Sequence, residues 1–547
     1  MNRYEFTFTS TRDIREFEKE LAMREVESLV PSSEVKREDG RIVLSTESTI
    51  SLEPLRDLTF FEKVRTPDEE VIPRQEYLNR LPKASREDAT TLDALLKTTP
   101  NKREHGYLTH DFHSYKGKYY PHLVNSCINA YGRDPDLVLD PFMGSGTTNL
   151  EAYLHGIDSA GIDLNPIAYL ISKTKIEVLA ADAEQVDQQL GAFADKIEHR
   201  LNHPELREQQ RLDTFTDSQG QQLELDVERL TEVLPSYNRE YLQSWFDNDT
   251  LREVCAILDA INDVESDVVA DVLRISLSNI IRKVSLQNDS QLRVNRLDSP
   301  PRDVDVLNDY LSEIEARRDA VRSYARFGEA LDLGGGEYNI VQGDSRDLGG
   351  ELALEPESVS YVLTSPPYAT GLPYIDMQRL SIFLLDLMDK NERRDFEWNM
   401  VGNREINKGQ REELEEEFLN GNHNLPESVT NVVEEIYQRN LEADVGFRRR
   451  NKASLIYKYF RDMERIFDEI FDLLVPGGRF TFVVGNNTTK AGDKQVNIFN
   501  DELLLDVAKE DGFEYFDRIE MTHQQAHRAH SKNKIDQEAI VTVEKPE

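Results

Sequence analysis

Two short stretches combine residue types that could hold a nucleoside and act beside it. The first runs Val138-Leu139-Asp140-Pro141-Phe142-Met143-Gly144-Ser145-Gly146-Thr147-Thr148. An apolar strand leads into glycines, which allow backbone conformations and close approaches denied to other residues, and a helix then starts with free N–H groups in its first turn. Such a turn suits a nucleotide-like ligand lying across strand ends. No Lys follows the last glycine, as a P-loop requires, and Asn149 stands where a dinucleotide fingerprint carries its third glycine. Gly161-Ile162-Asp163-Leu164-Asn165-Pro166 reads as a second strand ending in an acid. An acid there, about 20 residues on, is placed to accept hydrogen bonds from ribose hydroxyls. A lone Gly-x-Gly is more often an ordinary tight turn; with Asp163 in register, a nucleoside cofactor is the better reading.

The second stretch is Thr364-Ser365-Pro366-Pro367-Tyr368, at the end of the apolar run Tyr361-Val362-Leu363. Two prolines fix φ and lack N–H donors, so the loop is preset, with the Ser365 hydroxyl and nearby carbonyls aimed outward. Tyr368 offers a flat face on which a base could stack. An exocyclic amine on a base is a poor nucleophile, because its lone pair is delocalised into the ring. Two acceptors holding its N–H groups would favour a pyramidal nitrogen and expose the lone pair to a sulfonium methyl, so positioning can lower the barrier without a covalent intermediate. Alone, Pro-Pro-Tyr would be an ordinary turn ending an edge strand. After a buried-type strand, and downstream of the Asp140 turn, it reads as part of a site.

These stretches must be positioned by a doubly wound α/β unit, whose strand, glycine turn, helix and second strand open at Leu137. Its segments are expected at 105–177, 336–390 and 452–547. A helix-rich insertion is expected at 178–335, with Leu251, Val254, Ile257, Leu258 and Ile261 at helical spacing, and it is a candidate target-recognition element. A strongly charged insertion, 391–451, reads as mobile or partner-facing. Residues 1–95 read as a small α/β module, with Tyr4–Thr9 alternating as a strand, Ile14–Leu29 helical, and Asp39-Gly40 a hairpin turn. Val475-Pro476-Gly477-Gly478 reads as a turn ahead of the strand Phe480–Val484.

In order and type, these stretches resemble the DNA N4-cytosine/N6-adenine amino-methyltransferase family, which uses S-adenosylmethionine. Asp140 to Thr148 looks like its motif I and Thr364 to Tyr368 like its motif IV. His113 to Pro121 resembles the segment that precedes motif I; Asp163 matches the motif II acid, and Gly343-Asp344 resembles motif III. The resemblance covers about half of the chain, in pieces. It implies an α/β, Rossmann-like S-adenosylmethionine-dependent methyltransferase fold with a helical insertion and a small N-terminal α/β module. It implies cofactor contacts from Asp140, Phe142, Gly144, Gly146, Thr147, Asp163, Asp344 and Tyr115, and a catalytic set of Ser365, Pro366, Pro367 and Tyr368. No metal is implied. The Ser-Pro-Pro-Tyr form is commoner among cytosine N4 enzymes, while Asp or Asn at the position of Ser365 is commoner for adenine N6. DNA cytosine is therefore the expected target, DNA is favoured over RNA, and a restriction-system partner fits the family. The N-terminal module gives some weight to a tRNA guanine-N2 methyltransferase, although those usually carry Asp where Ser365 stands. A catalytically silent nucleic-acid binder with the same fold is the rival from another class, and the intact motif set counts against it.

Composition sets the surroundings. At 547 residues, 38% hydrophobic, the chain should form two or three folded units with a real core. No apolar run approaches a membrane span, and Met1 to Phe6 lacks a signal-peptide core, so a soluble cytoplasmic protein is expected. Cys127 and Cys255 cannot make a disulfide framework, and neither follows a proline as a cytosine C5 nucleophile would. The net charge of -38 counts against a nucleic-acid partner when taken alone. The acids are spread along the chain, however, as in proteins of salt-loving archaea, and at ~1 M salt the Debye length is only ~3 Å. Basic groups are correspondingly informative: Arg448-Arg449-Arg450-Asn451-Lys452, and Arg282-Lys283 with Arg293 and Arg296, could follow phosphates or lie as solvated faces. His523, His527 and His530 read as an exposed loop between strands and not as metal ligands.

Overall fold

The computed structural model describes residues 2–31, 33–38, 40–84, 89–100, 106–132, 135–202, 231–288, 295–298, 304–369, 374–421, 423–522 and 537–547. An N-terminal antiparallel sheet comprises β1 (Asn2–Phe8), β2 (Glu34–Glu38), β3 (Arg41–Thr46), β4 (Phe61–Arg65) and β5 (Glu70–Val71), in the order β2-β3-β1-β4-β5. Alternation drives β1: Tyr4 and Phe6 are buried against the helix Glu16–Leu29 while their neighbours face outward. Gly40, at φ +77°, turns β2 into β3 in a conformation that glycine adopts without a Cβ clash.

The second sheet contains β6 (Leu137–Asp140), β7 (Asp158–Asp163), β8 (Tyr338–Gln342), β9 (Val359–Thr364) and β10 (Leu474–Gly485). After a small hairpin, β11 (Asn487–Ala491) and β12 (Lys494–Ile498), it is completed by β13 (Glu514–Thr522) and β14 (Gln537–Glu544). The order is β13-β14-β10-β9-β6-β7-β8, with β6 to β10 parallel and β14 antiparallel to both its neighbours. This is the Rossmann-like doubly wound sheet that the sequence implies. Both faces are covered. Leu139, Val362, Phe482 and Val541 pack under the long helix Phe447–Leu473, and their chain neighbours Val138, Tyr361, Val483 and Ile540 pack toward the helix Pro121–Tyr131.

Val475-Pro476-Gly477-Gly478 lies inside β10 and not before it, as a break in register between Leu474 and Arg479. The N-terminal sheet is joined to the rest by one continuous core, and Tyr120 donates a 2.7 Å hydrogen bond to the buried Glu18. Helices Ala183–Asn202, Asn248–Asn262, Asp267–Val284 and Val306–Phe327 pack on one another and on the helix Pro166–Ala180, burying Val254, Ile257, Leu258 and Ile261. In its described residues the charged insertion packs on the rest of the molecule along one face of its helices. Leu414, Val429, Val433 and Ile436 sit at helical spacing among many acids and bury against Phe447–Leu473. Among the described residues, no helix is long and apolar enough to cross a membrane.

Candidate active site

The order in which the chain adds strands reverses between the parallel neighbours β6 and β9, the place where open α/β sheets bind ligands outside their carboxyl ends. Both sequence motifs end there, and Asp140 ties them together. Its carboxylate is fully buried and accepts hydrogen bonds from Thr364 Oγ1 (2.6 Å), Thr148 Oγ1 (2.6 Å), the Phe142 N–H (3.0 Å) and Tyr119 Oη (3.1 Å). Burial raises its pKa, and the Thr148, Thr364, Phe142 and Tyr119 donors hold part of that rise back. Asp140 therefore clamps the end of β6 to the end of β9 and to the helix Thr147–Leu154.

The glycine turn is held from outside. Gly144 and Gly146 have φ of +51° and +71°, and a Cβ on Gly146 would meet Ser172 at 2.8 Å. Ser172 Oγ donates to the Gly144 carbonyl (2.8 Å), and the buried Lys175 Nζ donates to the Ser145 carbonyl (2.8 Å). With these carbonyls committed to the helix Pro166–Ala180, the Gly144 N–H points to Asp163 Oδ2 at 2.9 Å. Asp163 Oδ1 accepts the Asn165 N–H at 2.8 Å. Burial raises the Asp163 carboxyl to about 6 against the pull of these two N–H groups. Asn149 fills space beside Gly161, where a Cβ would meet it at 2.6 Å.

A cavity of about 80 Å³ opens at this point. Its lining includes Tyr115, Phe142, Gly144, Asp163, Asp344, Ser365, Pro367, Tyr374, Met400 and Val401. Asp344 is bound to Arg346 (2.6 Å); burial would raise its carboxyl, and the guanidinium outweighs that and lowers it. Asp140, Gly146, Thr147, Pro366 and Tyr368 do not line the cavity. Gly146 caps the helix Thr147–Leu154, in which Thr147 is buried. The Tyr368 hydroxyl donates to Glu538 Oε1 (3.1 Å) on β14.

The Ser365 hydroxyl donates its proton to the Val483 carbonyl (3.0 Å) on β10. A carbonyl can only accept, so toward the cavity Ser365 has lone pairs to offer and no proton. The loop is braced by Asn487 Nδ2 donating to the Ala369 carbonyl (2.5 Å) and by Gly402 (φ +73°), where a Cβ would meet Pro367 and the Tyr368 carbonyl at 3.1 Å.

Several of these residues carried no sequence signal. Lys175 and Ser172 sit in an ordinary helical pattern, and Gly402 and Tyr374 lie in segments that lack a motif. Thr148, Thr364 and Tyr119 could have been found by asking what satisfies an acid buried at a strand end. The donor set fits an S-adenosyl group. Its walls are aromatic and aliphatic, Asp163 offers acceptors for ribose, two carboxylates suit a cation, and among the described residues no Lys or Arg lines the cavity to meet a phosphate. Of the basic groups, Arg448 and Lys452 line a second, larger cavity, and Lys283 is paired with Asp309 at 2.7 Å. Arg293 and the three histidines from His523 to His530 lie outside the described residues.

A DNA methylase family model matches residues 60–174, which include the glycine turn and Asp163. Type II methyltransferase M.MjaII of Methanocaldococcus jannaschii is 23% identical over 361 residues, 52% of this chain and 64% of that one. The match therefore spans less than two thirds of that relative's length. M.MvaI of Kocuria varians is 21% identical over 409 residues, 73% of this chain and 81% of its own, and M.BsoBI of Geobacillus stearothermophilus is 35% identical over 104 residues, 18% and 20% of the two chains. With a parallel sheet whose strand order reverses at β6 and β9, and with these relatives, the chain is similar to S-adenosylmethionine-dependent DNA N4/N6 amino-methyltransferases.

Proposed function

We propose that the protein methylates the exocyclic amino group of a base in DNA, with cytosine N4 as the target. The observation that carries this reading is the Ser365 hydroxyl, whose only proton goes to Val483. What it presents beside the cofactor cavity is an acceptor, which an amine N–H requires. Ser365 and the Pro366 carbonyl hold the two N–H groups, the nitrogen lone pair faces the cavity, and the Tyr368 ring flanks the base while Glu538 holds its hydroxyl. Asp163 takes the ribose hydroxyls, and Phe142 and Tyr115 close over the nucleoside. S-adenosylmethionine supplies an electrophilic methyl carbon. A neutral serine, in place of the Asp or Asn commoner in adenine enzymes, favours cytosine.

The setting follows from the same reading: a cytoplasmic enzyme adapted to salt, as its acidic composition suggests, and companion to a restriction enzyme of matching sequence preference. The test is methyl transfer from labelled S-adenosylmethionine to duplex DNA and to total tRNA in concentrated potassium chloride, with nucleoside mass spectrometry of the products. N4-methylcytosine from DNA is the expected product. N6-methyladenine would move the target to adenine, and label in tRNA alone would overturn the reading.

A further inference from the structure

The cofactor cavity shares Tyr374, Met400 and Val401 with a neighbouring cleft of about 650 Å³. The two differ in charge. Among the described residues no cation lines the first, whereas Arg379, Arg393, Arg404, Arg448 and Lys452 line the second. The acids among the described residues that line it are Asp376, Glu397 and Glu405, in a chain of 65 basic and 103 acidic residues. Asp376 is bound to Arg379, and Glu397 to Arg393 at 2.6 Å. Arg448 and Glu405 are 3.8 Å apart with side chains 83% and 80% exposed, a pair weak enough for an incoming anion to displace.

On the same helix as Arg448 and Lys452, Asn451 lines this cleft and is 4% exposed. Its Nδ2 donates to the Ile406 carbonyl at 3.0 Å, which fixes the amide orientation, and its Oδ1 is buried with no partner. A buried acceptor left without a donor is costly, so such atoms in a cleft point to a ligand with N–H or O–H groups. Phosphate oxygens for the cations and base donors for Asn451 are found together in a nucleotide strand.

We propose that this cleft seats the DNA strand next to the base being methylated, with Arg448 and Lys452 on its phosphates and Asn451 Oδ1 accepting from a nucleotide base. The proposal rests on the DNA reading above. It makes the charged insertion, together with the start of the helix Phe447–Leu473, a substrate-binding wall.

The full chain is titrated with a labelled duplex of mixed sequence across a range of potassium chloride, S-adenosylmethionine affinity is followed by calorimetry, and methyl transfer to unmodified genomic DNA is measured alongside. Arg448→Ala and Lys452→Ala should each flatten the plot of log affinity against log salt by about 0.9, roughly a threefold smaller loss over a fourfold rise in salt. Cofactor affinity should stay unchanged. Arg200→Ala, in the helical insertion and paired with Asp259, should leave the slope as it is. Asn451→Leu should lower kcat/KM for DNA at least about tenfold without moving the slope; if that variant misfolds, the two cation variants decide. Wild-type slopes in both, in an enzyme that still methylates DNA, overturn the cleft assignment alone. A slope that flattens for RNA but not for DNA overturns it too. If the unaltered chain neither binds nor methylates DNA, the functional reading falls, and this inference with it.

Discussion

In the proposed reaction Ser365 and Asp163 meet opposite demands on their protons. Ser365 must accept, and its bond to Val483 ensures that it does. Ser365→Ala should lower kcat about a hundredfold, in the range seen when one positioned hydrogen-bonding group is lost from an active site. Its S-adenosylmethionine affinity should stay within about twofold in calorimetry, and equal losses in both would remove Ser365 from its role. As the proposed ribose acceptor Asp163 must be ionised, yet burial lifts its carboxyl to about 6. Cofactor affinity should therefore fall by about tenfold per pH unit below that value, and Asp163→Asn should show weak, pH-independent binding. The sign separates this from folding. A raised carboxyl stabilises the unliganded protein at low pH, and that contribution is lost as pH rises from 3.8 through about 6, opposite to the trend in binding.

At the scale of elements, the loop after β9 is shaped by the segment laid over it. Gly402 lies in the left-handed region with Pro367 and the Tyr368 carbonyl where its Cβ would go. Gly402→Ala should cost about 1 kcal/mol of stability, read as a small drop in Tm, while methyl transfer falls tenfold or more because Pro367 and Tyr368 must shift. Nothing in the sequence announced that contact, since Gly402 belongs to a stretch read only by its charge. The strands were legible because β6 and β9 are short apolar runs ending in turn chemistry, and Asp163 because its spacing from the glycines is diagnostic. The packing of the charged insertion was not, because Val429, Val433 and Ile436 are outnumbered by acids on the opposite face of their helix. Lys175 was illegible for another reason. A buried lysine bonded to a carbonyl looks the same in sequence as one on a solvated face.

At the scale of the whole molecule, the N-terminal sheet is bound to the methyltransferase sheet by charge as well as by core. His155 Nδ1 lies 3.1 Å from Asp57, which is bound to Arg74, and His155 also faces the buried Glu151, which lies 2.6 Å from His110. Burial alone would lower the pKa of His155; the bond to Asp57 and the nearby Glu151 carboxylate outweigh it and raise the imidazole to about 9. A raised histidine contributes stability that is complete below its ordinary 6.5 and lost as pH climbs through about 9. Urea unfolding should show stability declining by on the order of 1–3 kcal/mol between those values, and His155→Asn should be less stable at neutral pH with that alkaline slope gone. Asp140 and Thr364 meet across adjacent strands although 224 residues separate them in the chain. Under the proposed function, the spacing of methyl donor and acceptor is thus set by a bond between neighbouring strands and not by the polypeptide that connects them. A lineage can lengthen or trim the helical insertion that lies between these two strands without re-evolving that spacing.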